Sequence, residues 1–133
     1  MSETTTTITI DMAAVGQPRH RSTKTGRHYV PKSHPIHDFK AAIRMHVPRN
    51  VKVSKAAFSL KIVCHFQRPK SHTKKQRLES YHVQTPDSDN IAKAVMDALN
   101  KVVWHDDKQV CCVWVVKEWC EGCDSVWISW KAL

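Results

Sequence analysis

The chain has 133 residues, about one domain with a single core, and no apolar run long enough to span a bilayer. Its formal net charge of +9 points to a polyanionic partner, since Lys and Arg that neutralise phosphates release condensed counterions. Met1-Ser2-Glu3 and the threonines after it lack the charged-then-apolar pattern of an export signal, and five cysteines, an odd number, argue against a disulfide framework, so a cytoplasmic location with reduced thiols is expected.

In chain order, residues 1–3 are expected to be a disordered tail. Residues 4–11 are β-branched and partly alternating, and predict a first strand. Gly16 to Lys32 mixes Gly and Pro with Arg19, His20, Arg21, Lys24, Arg27 and His28, which reads as a basic loop. Ile36, Phe39, Ile43 and Val47 recur at helical spacing and predict a helix over 35–46, ended by Pro48. Residues 56–66 alternate as a strand with Phe58, Leu60, Ile62, Cys64 and Phe66 on one face.

A second basic connection over 67–84 carries Arg68, Lys70, Lys74, Lys75 and Arg77, with a short helix expected between Thr73 and Tyr81. The best-defined helix spans 89–102, where Ile91, Val95, Ala98 and Val102 share one side and Asp89, Lys93, Asp97 and Asn100 the other. Two β-rich stretches follow at 109–119 and 125–131, and Glu121-Gly122-Cys123-Asp124 reads as the turn of an antiparallel hairpin. The fold class expected is α+β, one domain over 1–133, with a small mixed sheet packed against two or three helices.

Charge is divided along the chain. Residues 1–80 hold 16 Lys and Arg against 4 Asp and Glu, whereas residues 81–133 hold 5 against 8. A nuclease needs such a division, because a broad cationic surface attracts phosphates while a small acidic cluster binds a cation.

The acidic chemistry concentrates in 86–109. Phosphodiester hydrolysis requires an activated water and relief of transition-state charge, and Mg²⁺ held by carboxylates can supply both. Asp87 and Asp89 are two residues apart at the lead-in to the helix, so in an extended backbone their side chains leave on the same side. Lys93 lies one turn beyond Asp89, about 6 Å along the axis, beside the expected ion. Asp97 is roughly 12 Å from Asp89 along a helix, too far to share the same ion, and is read as structural. Either Asp106 or Asp107 could return to this end of the helix if the following segment folds alongside it. The competing reading makes Asp89 an N-cap, Asp87 a partner of the helix dipole and Asp106-Asp107 an ordinary turn; the chain would then be a non-catalytic nucleic-acid-binding protein.

The run Pro86-Asp87-Ser88-Asp89-Asn90 with Lys93, then Asp97-Ala98-Leu99-Asn100, then Asp106-Asp107 and Gln109, resembles the signature of the RusA family of Holliday-junction resolvases. Arg68-Pro69-Lys70-Ser71, Lys117 and the Gly16-to-Pro31 loop extend the resemblance over most of the chain. By position, it implies that Asp87, Asp89 and Asp107 are the essential metal-binding acids and Lys93 the catalytic lysine. It further implies an α+β homodimer that uses Mg²⁺ or Mn²⁺ and makes symmetrical nicks in four-way junctions, with DNA as its substrate rather than a small molecule, and that it acts in recombination and repair. Phages and prophages are frequent sources of such proteins, which makes that origin an expectation. The chain departs from the pattern at Lys101, where many members have Gly. Arg19, Arg21, Arg27, Lys70, Lys74, Lys75 and Arg77 are the residues expected to hold the junction arms.

Cys111, Cys112, Cys120 and Cys123 invite a zinc reading, but adjacent Cys111 and Cys112 point to opposite faces of a strand and cannot both join a site. Structural thiols are expected instead. The nine histidines lack paired spacing and are read as part of the phosphate-facing surface. Five tryptophans between Trp104 and Trp130 are expected in the core or a subunit interface, ahead of base stacking, because they sit in the acidic half of the chain.

Overall fold

The computed structural model describes residues 4–18, 21, 22 and 28–133. The tail at 1–3 and the loop residues Arg19 and Arg27 lie outside this set.

The element order is β1 (Thr5–Ile10), β2 (Arg21–Ser22), β3 (His28–Tyr29), α1 (Ile36–His46), β4 (Phe58–Gln67), α2 (Ser88–Leu99), β5 (Val110–Cys120) and β6 (Ser125–Ala132). Single 3-10 turns form at Gln76–Leu78, within the expected short helix, and at Asp107–Gln109. The architecture is α+β. Four strands form one mixed sheet in the order β1-β6-β4-β5, and β2 and β3 make a small separate ribbon within the basic loop.

The strand over 58–67 keeps the alternation read from its sequence, with Phe58, Leu60, Ile62, Cys64 and Phe66 all buried. Ile36, Phe39 and Ile43 of α1 and Ile91, Val95 and Ala98 of α2 bury the stripes their spacing predicts. Both helices therefore cover the same face of the sheet, and one core forms between them, Ile8, Ile10, Val126 and Ile128. The five cysteines are free, Cys64 buried and Cys111, Cys112 and Cys123 exposed. No helix among the described residues is long and apolar enough to cross a membrane.

The C-terminal hairpin has a different partner from the expected one. The chain reverses through residues 121–124 and β5 and β6 run antiparallel, but β4 lies between them, pairing parallel with β5 and antiparallel with β6. A four-residue turn is long enough to step over one strand at about 4.8 Å per strand, and β4, apolar on its inner face, takes the most covered place.

Helix α2 stops at Leu99 rather than running to residue 102. Lys101 sits at φ 66°, in the left-handed region that favours glycine, and its N–H donates to the Trp104 carbonyl at 2.7 Å. This is the position where the family-like pattern carries Gly. Lys101→Gly is therefore expected to raise stability by about 1 kcal/mol, read as a higher urea midpoint at unchanged slope; a lowered midpoint would contradict a strained Lys101.

Candidate active site

The first half of α2 is the hub of the site. Asp87 is its N-cap by backbone geometry, with extended φ −72° and ψ 146°, yet its side chain makes no capping hydrogen bond. Asp89 lies inside the first turn. The helix begins at Ser88, one residue earlier than its sequence suggested, so Asp87 is extended and Asp89 helical. The two acids line different depressions.

The segment leading into α2 is held from two sides. Lys117 of β5 donates through Nζ to the carbonyls of Gln84 at 2.5 Å and Pro86 at 2.7 Å. The backbone of β5 meets the same segment through the His82 N–H on the Lys117 carbonyl and the Trp119 N–H on the Ser80 carbonyl. His82 is buried, stacked on Phe66 at 3.9 Å and against Trp119, and burial followed by the nearby Lys117 charge lowers its pKa. On the other side Gln17 N–H donates to the Asn90 carbonyl at 2.9 Å. A Cβ at Gly16 would stand 3.1 Å from both Asn90 Cβ and Pro86 Cβ, so glycine permits this close crossing. Asp87 lines the resulting depression with Gly16, Gln17 and Pro86.

The return of the chain after α2 sets Asp106 and Asp107 in different surroundings. Asp106 is consumed by the turn. Its carboxylate accepts from Lys108 N–H at 3.0 Å and closes a capping box with Gln109, whose amide also donates to the Ser54 and Ala56 carbonyls. The bond from the Lys108 N–H, followed by a hydrogen bond with Asp107, holds the Asp106 carboxyl below its ordinary pKa. Asp107 lines a cleft of about 710 Å³ together with Gln17, Lys40, Asn90, Lys93 and Asp97. Partial burial, then its hydrogen bond to Asp106, then the charges of Asp106 and Asp97, push its carboxyl up.

Lys93 is the link between the depressions. It lines the Asp107 cleft and also the groove where Asp89 lies, with Met96, Val113 and Val115. Asp87, Asp89 and Lys93 have no side-chain hydrogen bond or ion pair among the described residues. The four sequence-predicted residues thus line three depressions along α2. The structure does not draw Asp87, Asp89 and Asp107 onto one point: among the described residues, no three His, Cys, Asp or Glu side chains are gathered closely enough to hold an ion.

Asp97 is structural in the sense expected, ion-paired to Lys40 at 2.5 Å, but it also lines the cleft beside Asp107. Lys40, Gln17 and Asn90 are cleft residues that sequence reasoning did not assign. Lys40 and Arg44, four apart on the polar side of α1, were the available signal; Arg44 donates to the Ala98 carbonyl at 3.1 Å and fastens α1 to the end of α2.

Among the expected DNA contacts, Lys70, Lys74, Lys75 and Arg77 lie exposed on the connection after β4. Arg68 staples that connection, reaching the Gln76 and Glu79 carbonyls at 2.9 and 2.8 Å and Glu121 at 3.1 Å. Arg77 also meets Glu121, at 3.3 Å. Arg21 lies in β2, where only the backbone is described.

Residues 11–128 match the protein family described as Endodeoxyribonuclease RusA. The chain belongs to the RusA family. No match was found among curated proteins. Membership of this family implies an endodeoxyribonuclease that resolves Holliday junctions, and the matched span takes in every element of the cleft, from the Gly16 crossing to the Asp107 turn and Lys117.

Proposed function

We propose that this RusA family member cuts four-way junctions in a reaction that depends on a divalent cation, Mg²⁺ or Mn²⁺, with Asp87, Asp89 and Asp107 as its ligands. The observation that carries the reading is the division of labour between adjacent acids: Asp106 caps the turn, while Asp107 lines the cleft with Lys93. Asp89, the N-cap of the competing reading, lies inside the first turn instead, and Asp87, which takes the N-cap position, makes no side-chain capping bond, so neither acid serves as a side-chain cap.

The donor chemistry fits. Carboxylate oxygens are the hard ligands that Mg²⁺ prefers, and Asp107 lies half-buried in the cleft with Asp106 and Asp97 close by. When bound, the cation supplies charge relief at the phosphate and a water of lowered pKa. Lys93, exposed and unpaired among the described residues, places an ammonium where a scissile phosphate would lie and offsets the charge that develops there. Lys40 is held back by Asp97 and so keeps the cleft wall in place. The cations at Lys70, Lys74, Lys75 and Arg77, with Arg19, Arg21 and Arg27 in the N-terminal loop, would carry the arms of the junction.

The acting form is proposed to be a homodimer, since a junction offers two equivalent strands and a twofold axis presents one site to each. A synthetic four-way junction incubated with Mg²⁺, with Mn²⁺ and with a chelator tests the whole reading. Paired symmetrical nicks in either metal and none with the chelator are expected, together with a dimeric mass by light scattering at micromolar concentration. Uncoupled single nicks by a monomer would refute the dimer, and undiminished cleavage with the chelator would refute the metal.

A further inference from the structure

The face of the main sheet turned away from α1 and α2 is open among the described residues. Along β4 it presents Lys61, Val63 and His65, while the alternate residues point into the core. Trp114 of β5 is 63% exposed and Trp127 of β6 is 48% exposed, and both stand on this face. Trp114 pairs with Lys61 and Trp127 with Val63 in register, so the two indoles flank β4 on either side. Two strand spacings across and two residues along place them about 12 Å apart.

We propose that this face is a second DNA-contacting surface that takes unpaired, single-stranded DNA, with bases stacking on Trp114 and Trp127 and the phosphate between them facing Lys61. The charge supports a polyanion. The outward positions of the four strands hold Lys61 and Lys131 against one acid, Glu118, which His65 already meets at 3.2 Å. The acidic character of the C-terminal third in sequence is therefore not the character of this surface, because β4, from the basic part of the chain, is inserted between the two tryptophan strands. Lys61 Nζ lies 4.8 Å from the centre of the Trp114 ring, which steadies the indole and sets a cation beside the stacking position.

Unpaired bases suit this geometry because an indole needs a free base face, and the faces in a duplex are already stacked. A second copy of the chain suits it less. An isologous contact centred here would bury Lys61 against its own twofold mate, and exposed Thr5, Thr7 and Thr9 occupy the neighbouring strand where a subunit interface would be apolar. The surface lies on the far side of the sheet from the Asp107 cleft, and the inference does not rest on how that cleft works.

The test is fluorescence anisotropy of a labelled oligothymidine of about twelve nucleotides, without divalent cation, against the full chain and its Trp114→Ala, Trp127→Ala and Lys61→Gln variants. Each tryptophan variant is expected to bind about tenfold more weakly, with far-ultraviolet circular dichroism unchanged. Lys61→Gln is expected to lower the slope of log affinity on log salt by about 0.7. Acrylamide quenching of the unsubstituted protein reads the same contact without a mutation: the oligonucleotide should protect the exposed indoles. Binding by both alanine variants within about twofold of the parent, quenching unaffected by the oligonucleotide, or conversion of a dimer to a monomer by Trp114→Ala and Trp127→Ala would each overturn the proposal, the last by making this face a subunit contact.

Discussion

Asp107→Asn should abolish junction cleavage, by at least about a hundredfold in kcat, while junction binding is kept or tightened. The magnitude follows from losing one carboxylate of a site that supplies several kcal/mol of charge stabilisation, at about 1.4 kcal/mol per factor of ten. Binding should hold because the substitution removes a negative charge facing phosphates. The neighbouring acid gives the control. Asp106→Asn keeps an oxygen acceptor for the Lys108 N–H and should stay near wild type, whereas Asp106→Ala should cost about 1 kcal/mol of stability with a smaller loss of activity. Single-turnover cleavage and gel-shift affinity on the same junction separate the cases. Asp107→Asn cutting within about tenfold of the parent, or Asp106→Asn proving the more damaging, would sink the assignment. Asp89→Asn should behave as Asp107→Asn does; if it instead failed to fold, its place in the first turn of α2 would be its main role.

What the sequence disclosed and what it withheld follow from the range of the interactions involved. The helices α1 and α2 and the strand β4 were legible because burial of one face imposes a period on Ile36, Phe39 and Ile43, on Ile91, Val95 and Ala98, and on Phe58 through Phe66. The placement of β4 between β5 and β6 was not, because local turn chemistry at Glu121–Asp124 says that the chain reverses but not which strand fills the gap. The same insertion explains why Trp114 and Trp127 stand on the outer face beside Lys61 rather than in the core, whereas Trp104 and Trp130 are buried. A single-residue difference in where α2 starts sends Asp87 and Asp89 to different depressions, and no periodicity fixes a helix start that closely. Lys40 was missed because α1 was read for its apolar stripe, and its partner Asp97 is 57 residues away.

The closure that brings Asp107 back to α2 rests on one side chain more than any other, and Trp104→Ala is the expected breaking point. Trp104 is fully buried, its ring centre lies 5.4 Å from that of Phe58, and its Nε1 donates to Asn100 Oδ1 at 3.0 Å. Its carbonyl takes the Lys101 N–H, and the adjacent Val103 carbonyl takes that of Ser54, so the ring sits where the chain turns from α2 toward β5. Removing a buried aromatic costs about 3–5 kcal/mol, a large part of the 5–15 kcal/mol that holds a typical domain together. Trp104→Phe separates the two contributions: it keeps most of the apolar contact but leaves Asn100 Oδ1 without its donor, at a cost of about 1–2 kcal/mol. Urea denaturation ranks the three proteins. Below its unfolding midpoint, Trp104→Ala should also lose cleavage more than binding, because the Asp107 turn loosens while the exposed lysines after β4 stay where they are. A destabilisation under about 1 kcal/mol would mean that the capping box of Asp106 and Gln109 holds Asp107 in the cleft without help from the indole beneath it.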